Sequence, residues 1–565
     1  MSLTLFMLLG LLFPLTAVAQ TSGTVSMKTN VQPGKTIKLK IKTADKKLEI
    51  EGLSGKWVNG QYINFTVNEG QSITMRGRVT ELTCSNCQLT ELTLQDCDEL
   101  QELTCHINKL KKLDLSGCKI IRVVNCNTNE ITEIDAHNRT NLTRLFCAEN
   151  ALETLNIKGC SALLKLYAYT NNLNEIDLSE SPKLTDFSCF NNQLNQLDIS
   201  NNTKLIELYC GNNHIKELNI TEHKDLSILY CHSNEIKVLD VKNHENLTEL
   251  YCVDNQLNEL DLTGVHSLMK LDCSDNNLSF LDVTGNLQLN DLGCQGNRLT
   301  VLDVANLNSL QGLSCGDNQL TQLQVKNHSI LEGLSCEGNM IKELDVTGCN
   351  ALRVLSCSRN AIRGKAMEKL IMSLPDRHNN VQSGGELDVY CDSAQASHRN
   401  VCTIANVEDA KAKAWTAKEF VLGSGNDYKW VVYEGAKSYA VTLAQVQGGT
   451  LAVKDNLNNI LTDTELNQVG HGTELMVEVT PEPSYKLTKL MVNGVDIFPE
   501  MSFFVTAQTE VTAEFQVTSA VSNVVDESAT IKAIYNASGV QLQELQHGVN
   551  IVVMSNGKVK KIFIK

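Results

Sequence analysis

The chain has 565 residues, 42% of them hydrophobic, a length beyond one compact core, so several domains or a repeat array are expected. Its formal net charge of −16 excludes a nucleic-acid partner, because phosphate binding needs clustered Lys and Arg. Acidity of this kind serves solubility.

Leu3 to Leu15 is almost wholly apolar and is followed by Ala17-Val18-Ala19. Residues 1–19 therefore read as a secretory signal peptide cleaved before Gln20. The apolar run is short for a membrane span, and no later stretch is apolar enough to cross a bilayer. Residues 20–78 alternate apolar and polar positions, as in Thr36-Ile37-Lys38-Leu39-Lys40-Ile41. They are expected to form a β cap over the first coil of a solenoid, which needs such a cover for solubility.

From residue 79 to 364 one period dominates. Steps of 21 residues from Cys84 to Cys357 meet Cys at thirteen of fourteen positions, with Ala168 the exception. Three residues further on, Cys87 is followed by Asn at every step from Asn108 to Asn360, and two residues before each Cys stands an apolar residue. The unit reads LxxLxCxxNxLxxLDL, as in Leu100-Gln101-Glu102-Leu103-Thr104-Cys105-His106-Ile107-Asn108-Lys109-Leu110. In LxLxC the apolar residue and the Cys point inward from one short strand. Each coil buries little alone, and stacking makes a continuous core. The Asn amide both donates and accepts, so a stacked Asn row satisfies backbone groups where each coil turns. A coil of this length leaves no room for a full helix opposite the strand, so a short strand or 3₁₀ turn is expected at Leu113-Asp114-Leu115 and its equivalents.

This unit resembles the leucine-rich repeat with Cys in place of its third apolar residue, and its length and Cys resemble the cysteine-containing internalins of the internalin J type. The resemblance implies a right-handed solenoid of the α/β horseshoe class with little helix. Fourteen coils would place a parallel β-sheet on the concave face, with β caps and a small C-terminal β domain beyond.

The ladder thiols read as small buried apolar residues. A straight row of parallel side chains suits neither disulfide geometry nor converging zinc ligands. A second Cys register holds Cys97, Cys118, Cys160 and Cys349. Cys97 and Cys118 lie on adjacent coils and are a candidate disulfide, and Cys391 with Cys402 is a candidate for pinning the end of the solenoid.

The positions flanking each ladder Cys should face solvent. Before it stand Phe146, Tyr167, Tyr209, Tyr230 and Tyr251, and after it Tyr169 and Phe190. Stacked coils at roughly 4.8 Å make this aromatic group a patch about 25 Å long. Stacking between neighbouring strands alone explains aromatics at such places. Their clustering on the middle coils points instead to a ligand-binding surface. Arg144, Lys165, Asp186, Glu207 and Glu249 border it, a rim suited to protein or glycan. His223 and His244, with His266 one residue out of register, carry the geometry of a metal site only weakly, and their register reads as a tolerant surface turn. The Asp row (Asp114, Asp135, Asp177, Asp198, Asp240, Asp261, Asp282, Asp303, Asp345) reads as turn caps rather than calcium ligands. No phosphate loop, GxSxG elbow or HExxH occurs. No enzyme, cofactor or metal is expected.

Residues 365–422 read as a C-terminal cap: a helix from Ala366 to Ser373, a strand near Leu387-Asp388-Val389-Tyr390 and a helix from Val407 to Lys418. A linker spans 423–436. Residues 437–517, through Gly448-Gly449-Thr450-Leu451, Gly472-Thr473-Glu474-Leu475 and Met491-Val492-Asn493-Gly494, resemble the divergent B-repeat of internalin-type proteins, which implies a β-grasp-like spacer. After a linker at 518–527, residues 528–565 carry Ile534-Tyr535-Asn536-Ala537-Ser538-Gly539, Leu545-Gln546-His547-Gly548-Val549-Asn550-Ile551-Val552 and Gly557-Lys558-Val559-Lys560-Lys561-Ile562. These look like the C-terminal sorting domain of the type IX secretion system of Bacteroidetes, with Asn550 where Tyr is common. That resemblance implies export across the outer membrane and anchoring at the exterior after removal of the tail. The whole is expected to be a secreted, surface-displayed adhesin. It would bind a protein or glycan on host or neighbouring bacterial cells, with roles in adhesion, biofilm formation or virulence. The alternative is a structural envelope scaffold without a specific ligand.

Overall fold

The computed structural model describes residues 23–378, 384–391, 400–422, 428–518 and 530–564; the segment 1–19 read as a signal peptide and most of that read as a linker at 518–527 lie outside them. The chain divides into two units, Met1–Lys437 and Ser438–Lys565.

The first unit is a leucine-rich-repeat solenoid with little helix. Each coil gives a short strand, from Val79–Thr83 and Glu102–Thr104 to Val354–Ser356, to one parallel sheet. Pairing keeps the repeat register without slip, for example Leu208↔Leu229 and Tyr209↔Tyr230. On the opposite side, strands at Leu113–Asp114, Glu133–Asp135 and Thr154–Asn156 make a second parallel sheet over the early coils only. In later coils the expected strand gives way to irregular backbone held by Asx bonds, such as Ser200 N to Asp198 Oδ1 at 2.9 Å.

The Asn row does the joining. Asn213 Nδ2 donates to the carbonyls of Cys210 and Gly211 in its own coil and to that of Cys189 in the coil before, all at 3.1 Å. Its Oδ1 accepts from Leu194 N at 3.0 Å. One side chain thus satisfies both coils at the turn, and the pattern repeats from Asn108 to Asn360. The residue just before each Asn takes a left-handed backbone, from Ile107 (φ 56°) to Arg359 (φ 54°).

Inside the coil the ladder cysteines are fully buried, as is Ala168 at the one step without a thiol. That position therefore asks for a small apolar side chain. Cys97, Cys118, Cys391 and Cys402 are likewise buried free thiols. Cys97 Sγ donates to the Thr24 carbonyl of the cap at 3.6 Å.

Both ends of the parallel sheet are closed by antiparallel strands, which removes the open edges that invite aggregation. At the N-terminal end Thr36–Thr43 pairs with Val79–Thr83, while Gly23–Thr29 pairs with Leu89–Gln95, so the cap continues both sides of the first coil. At the other end Gly385–Cys391 and Trp415–Leu422 add two more parallel strands, and Tyr428–Val432 closes the edge antiparallel, inside the stretch read from sequence as linker. The helix expected from Val407 to Lys418 instead spans Ile404–Lys411, capped by Thr403 and Asn406. Trp415 leaves it because its ring packs over Gly385, where a Cβ would collide with the indole. Its Nε1 also donates to the Pro375 carbonyl at 2.8 Å.

In the second unit, residues 438–518 fold around Val453, Leu475, Val477, Leu490 and Val511. One sheet there pairs Val441–Leu443 parallel with Thr509–Val517, and a second pairs Gly449–Lys454 with Glu474–Pro481. Residues 531–564 form a four-stranded antiparallel sheet.

Burial raises the ladder thiols from an ordinary 9.0 to about 12 at Cys105, Cys147, Cys231 and Cys294. Stability is intact below the ordinary value and lost as pH rises from there towards 12, because the unfolded chain then releases thiol protons that the folded ladder retains. The slope is about 1.4 kcal/mol per pH unit for each thiol. The urea midpoint by circular dichroism should hold to pH 9 and fall steeply above it; a flat midpoint through pH 11 would mean that water reaches the thiols.

Candidate functional site

Because the Leu and Cys of each strand point inward, the residues on either side of each Cys form the outer face of the parallel sheet. All seven aromatics of the sequence reading lie on that face. They are half-buried rather than exposed, because they shield one another in three groups. Phe146 and Tyr167 pack at 5.0 Å between centroids, and Tyr169 stacks on Phe190 at 4.6 Å. Tyr209, Tyr230 and Tyr251 run in one row at 5.1 and 4.4 Å. The buried Ser188 interrupts that row between Tyr167 and Tyr209.

Carboxylates tie the rings down. Tyr230 Oη donates to Glu249 Oε2 at 2.5 Å, Tyr209 Oη to Glu207 Oε2 at 3.2 Å, and Lys270 Nζ to Glu249 Oε1 at 3.0 Å. Lys165 pairs with Asp186 at 2.7 Å. Burial, then the Glu207 charge, pushes the Tyr209 phenol up to about 12. Burial and the Glu249 bond push Tyr230 up as well. Burial opposes the Glu249 charge, but the bonds from Tyr230 and Lys270 outweigh it and hold that carboxyl below its ordinary value. Rings fixed by neighbours and by charge-assisted bonds lose little entropy on contact with a partner, which suits them to be anchors.

The opposite side of the coil differs from the sequence reading. The register of Cys97, Cys118, His223 and His244 is a largely buried row and not a tolerant surface turn; most of its polar members donate to carbonyls, while Val265 and Leu307 fill it with apolar side chains. Cys160 Sγ reaches the Ala136 carbonyl at 3.1 Å, and Asn202 Nδ2 the Leu178 carbonyl at 3.1 Å. Nε2 of His223, His244 and His328 lies 3.1, 2.9 and 3.0 Å from the carbonyls of Ile199, Ile220 and Val304. Each bond spans the same 24 residues back to the preceding coil. Burial lowers the His223 imidazole below its ordinary value. His266, out of register, is exposed. No group of three or more His, Cys, Asp or Glu able to hold a metal occurs among the described residues. In the Asp row, each carboxylate accepts from the backbone N–H two residues on, as at Asp114, Asp261 and Asp345.

Residues 439–519 match the family of divergent InlB B-repeat domains. Among solved structures, the fold is similar to the functional domain of InlJ from Listeria monocytogenes, which includes a cysteine ladder: 23% identity, TM-score 0.49, covering 74% of this chain and 93% of that one. It is also similar to a leucine-rich-repeat protein of Leptospira interrogans, at 23% identity and a TM-score of 0.47, covering 54% and 83%. An internalin of Listeria monocytogenes matches at 21% identity and a TM-score of 0.42, covering 52% and 84%. No curated protein sequence matches the chain.

Where a member of the turn row donates to the preceding coil, its residue should be exchangeable by donor capacity. His328→Leu removes the Nε2 bond to the Val304 carbonyl, which then keeps only the Leu307 N–H at 2.9 Å, and should cost about 0.5–1.5 kcal/mol in urea unfolding. His328→Asn, copying Asn202, should cost less than half of that. Equal losses in both variants would make the row one of shape alone.

Proposed function

We propose that this chain is a binding protein, displayed at the cell exterior, whose parallel-sheet face engages a partner through Phe146, Tyr167, Tyr169, Phe190, Tyr209, Tyr230 and Tyr251. The observation that carries the reading is the row of Tyr209, Tyr230 and Tyr251, aligned by strand register on the outer face. Half-buried aromatics held in place by carboxylates have the character of interface hot spots. His223, His244, His328 and the Asp row are spent on fixing turns, which supports binding rather than catalysis. In keeping with its resemblance to the internalins, the role is adhesion to a protein or glycan of host or neighbouring bacterial cells, including biofilm formation or virulence. The leader at 1–19 and the sorting-like tail at 528–565 support export and anchoring on the outer membrane exterior. Among the described residues no helix is long and apolar enough to cross a membrane.

The same stacking distances also suit rings that serve only to brace neighbouring strands in an envelope scaffold. Arrays of matrix proteins and glycans, probed with the full chain and with its Tyr209→Ser, Tyr230→Ser, Tyr251→Ser variant, separate the two. Binding should fall about a hundredfold or more in the variant, which removes three anchors, while circular dichroism stays unchanged. Binding that survives in the folded variant would move the site elsewhere. No binding by either would favour the scaffold.

A further inference from the structure

Past Tyr251 the same face changes character. The row continues as Asp272, Gly293, Ser314, Ser335, Ser356 and Asp388, in unbroken parallel register. Glycines leave the room that carboxylates occupy. A Cβ at Gly293 would stand 2.5 Å from Asp272 Oδ1, and one at Gly312 would stand 2.7 Å from Asp291 Oδ1. The cations nearby are already committed. Lys270 bonds Glu249, Arg359 bonds Asp317, and Lys418 pairs with Glu386. Among the described residues, no ion pair is formed by Asp272, Asp291, Glu337 or Asp388.

Two of these carboxylates, the buried Asp388 and the half-buried Glu337, also keep a buried oxygen unsatisfied. Asp388 is 8% exposed; its Oδ2 accepts from Ser356 Oγ at 2.6 Å, while Oδ1 has no partner. Glu337 Oε2 is buried without a partner as well. Burial raises both carboxyls above their ordinary values, and burial with the neighbouring Asp272 charge raises Asp291. A buried acceptor without a donor is costly, and an incoming N–H⁺ group relieves that cost.

We propose that this face seats a cationic polypeptide segment, its apolar side chains on Tyr209, Tyr230 and Tyr251 and its Lys or Arg side chains on Asp272, Asp291, Glu337 and Asp388. The inference rests on the binding role proposed above and narrows its partner to a basic protein. The strip of glycine and serine between the carboxylates lets an extended backbone lie close to the sheet. Guanidinium and ammonium groups then meet carboxylates whose only side-chain donors are serine hydroxyls and with which, among the described residues, no cation of this chain pairs. Acidic glycans and phosphate-bearing surfaces are repelled by the same charges.

The test titrates the full chain with a short synthetic peptide of alternating Lys and Leu or Tyr, and with a counterpart carrying Glu for each Lys. Three variants are compared: Asp272→Asn, Asp291→Asn, Glu337→Gln on the face; Glu153→Gln, Glu175→Gln, Glu217→Gln at exposed positions on the other side; and the tyrosine triple. Both carboxylate sets remove the same charge. The lysine peptide should bind, about tenfold more weakly to the face set and to the tyrosine triple, and within about twofold of wild type to the control set. Equal weakening in both carboxylate sets, equal binding of the glutamate peptide, or indifference to the tyrosine triple would overturn the inference. Calcium binding that disappears in the face set would also overturn it, by giving the carboxylates to a metal. If the lysine peptide fails while an array ligand still binds in a tyrosine-dependent way, the proposed function stands and only the basic partner is lost.

Discussion

The structure depends on one side chain used thirteen times: the Asn of each coil, whose amide donates to carbonyls of its own and the preceding coil and accepts an N–H from the preceding one. Backbone groups at a tight interior turn must find partners, and here the turn itself supplies none. The left-handed residue before each Asn shows how firmly this requirement is imposed. At Ile107, Thr128 and Thr170, β-branched side chains sit at φ between 53° and 56°, a region that Gly296 and Gly338 adopt freely and the Asn and Asp of other coils with less strain. Such a conformation costs roughly 1–2 kcal/mol for an L-residue, so the amide bonds and packed interior must outweigh it in coil after coil. The terminal cap keeps the same device. Asn400 Nδ2 donates to the Cys357 carbonyl at 2.8 Å, and its Oδ1 accepts from Ile362 N at 3.0 Å.

Once the turn is fixed, the strand that leaves it is fixed too, and its outer positions are held to no one residue type. That freedom is what the face uses. Over the middle coils it holds aromatic rings tethered by Glu207 and Glu249, and over the later coils carboxylates beside glycine and serine. The row on the other side of the coil obeys another logic, since position and burial are prescribed while residue type is not, and most of its polar members serve as donors. Cys160, Asn202 and His223 do the same work with three chemistries.

Whatever repeats with one residue type was legible in the sequence. The thiol row, the Asn row, the inward Leu and the outer aromatic positions all emerge from the period alone, and the Asp row reads correctly as turn caps. What escaped was whatever repeats by function. A row of Cys, Ser, Asn, His and Arg, broken by Val265 and Leu307, looks tolerant until most of its polar members are seen to face a carbonyl, as Arg139 Nε faces that of Leu115 at 3.2 Å. Asn400 escaped because residues between Val389 and the Asn lengthen the usual three-residue step. The second cap helix was read too long because Trp415 and Ala417 suit a helix by composition, whereas their pairing with Gly385 and Leu387 is a long-range choice. The half-burial of the rings and the break at Ser188 depend on how neighbouring side chains lean, which spacing does not encode.

The most direct measurement is the urea unfolding of Asn213→Leu, with hydrogen exchange at the Leu194 amide that its Oδ1 accepts. Leucine keeps the volume and removes every bond. The account predicts a loss of about 3 kcal/mol or more, with Leu194 exchanging faster while distant coils keep their protection. A loss below about 0.5 kcal/mol, in the range of an ordinary surface change, with Leu194 still protected, would contradict it and leave apolar stacking as what holds the coils in register.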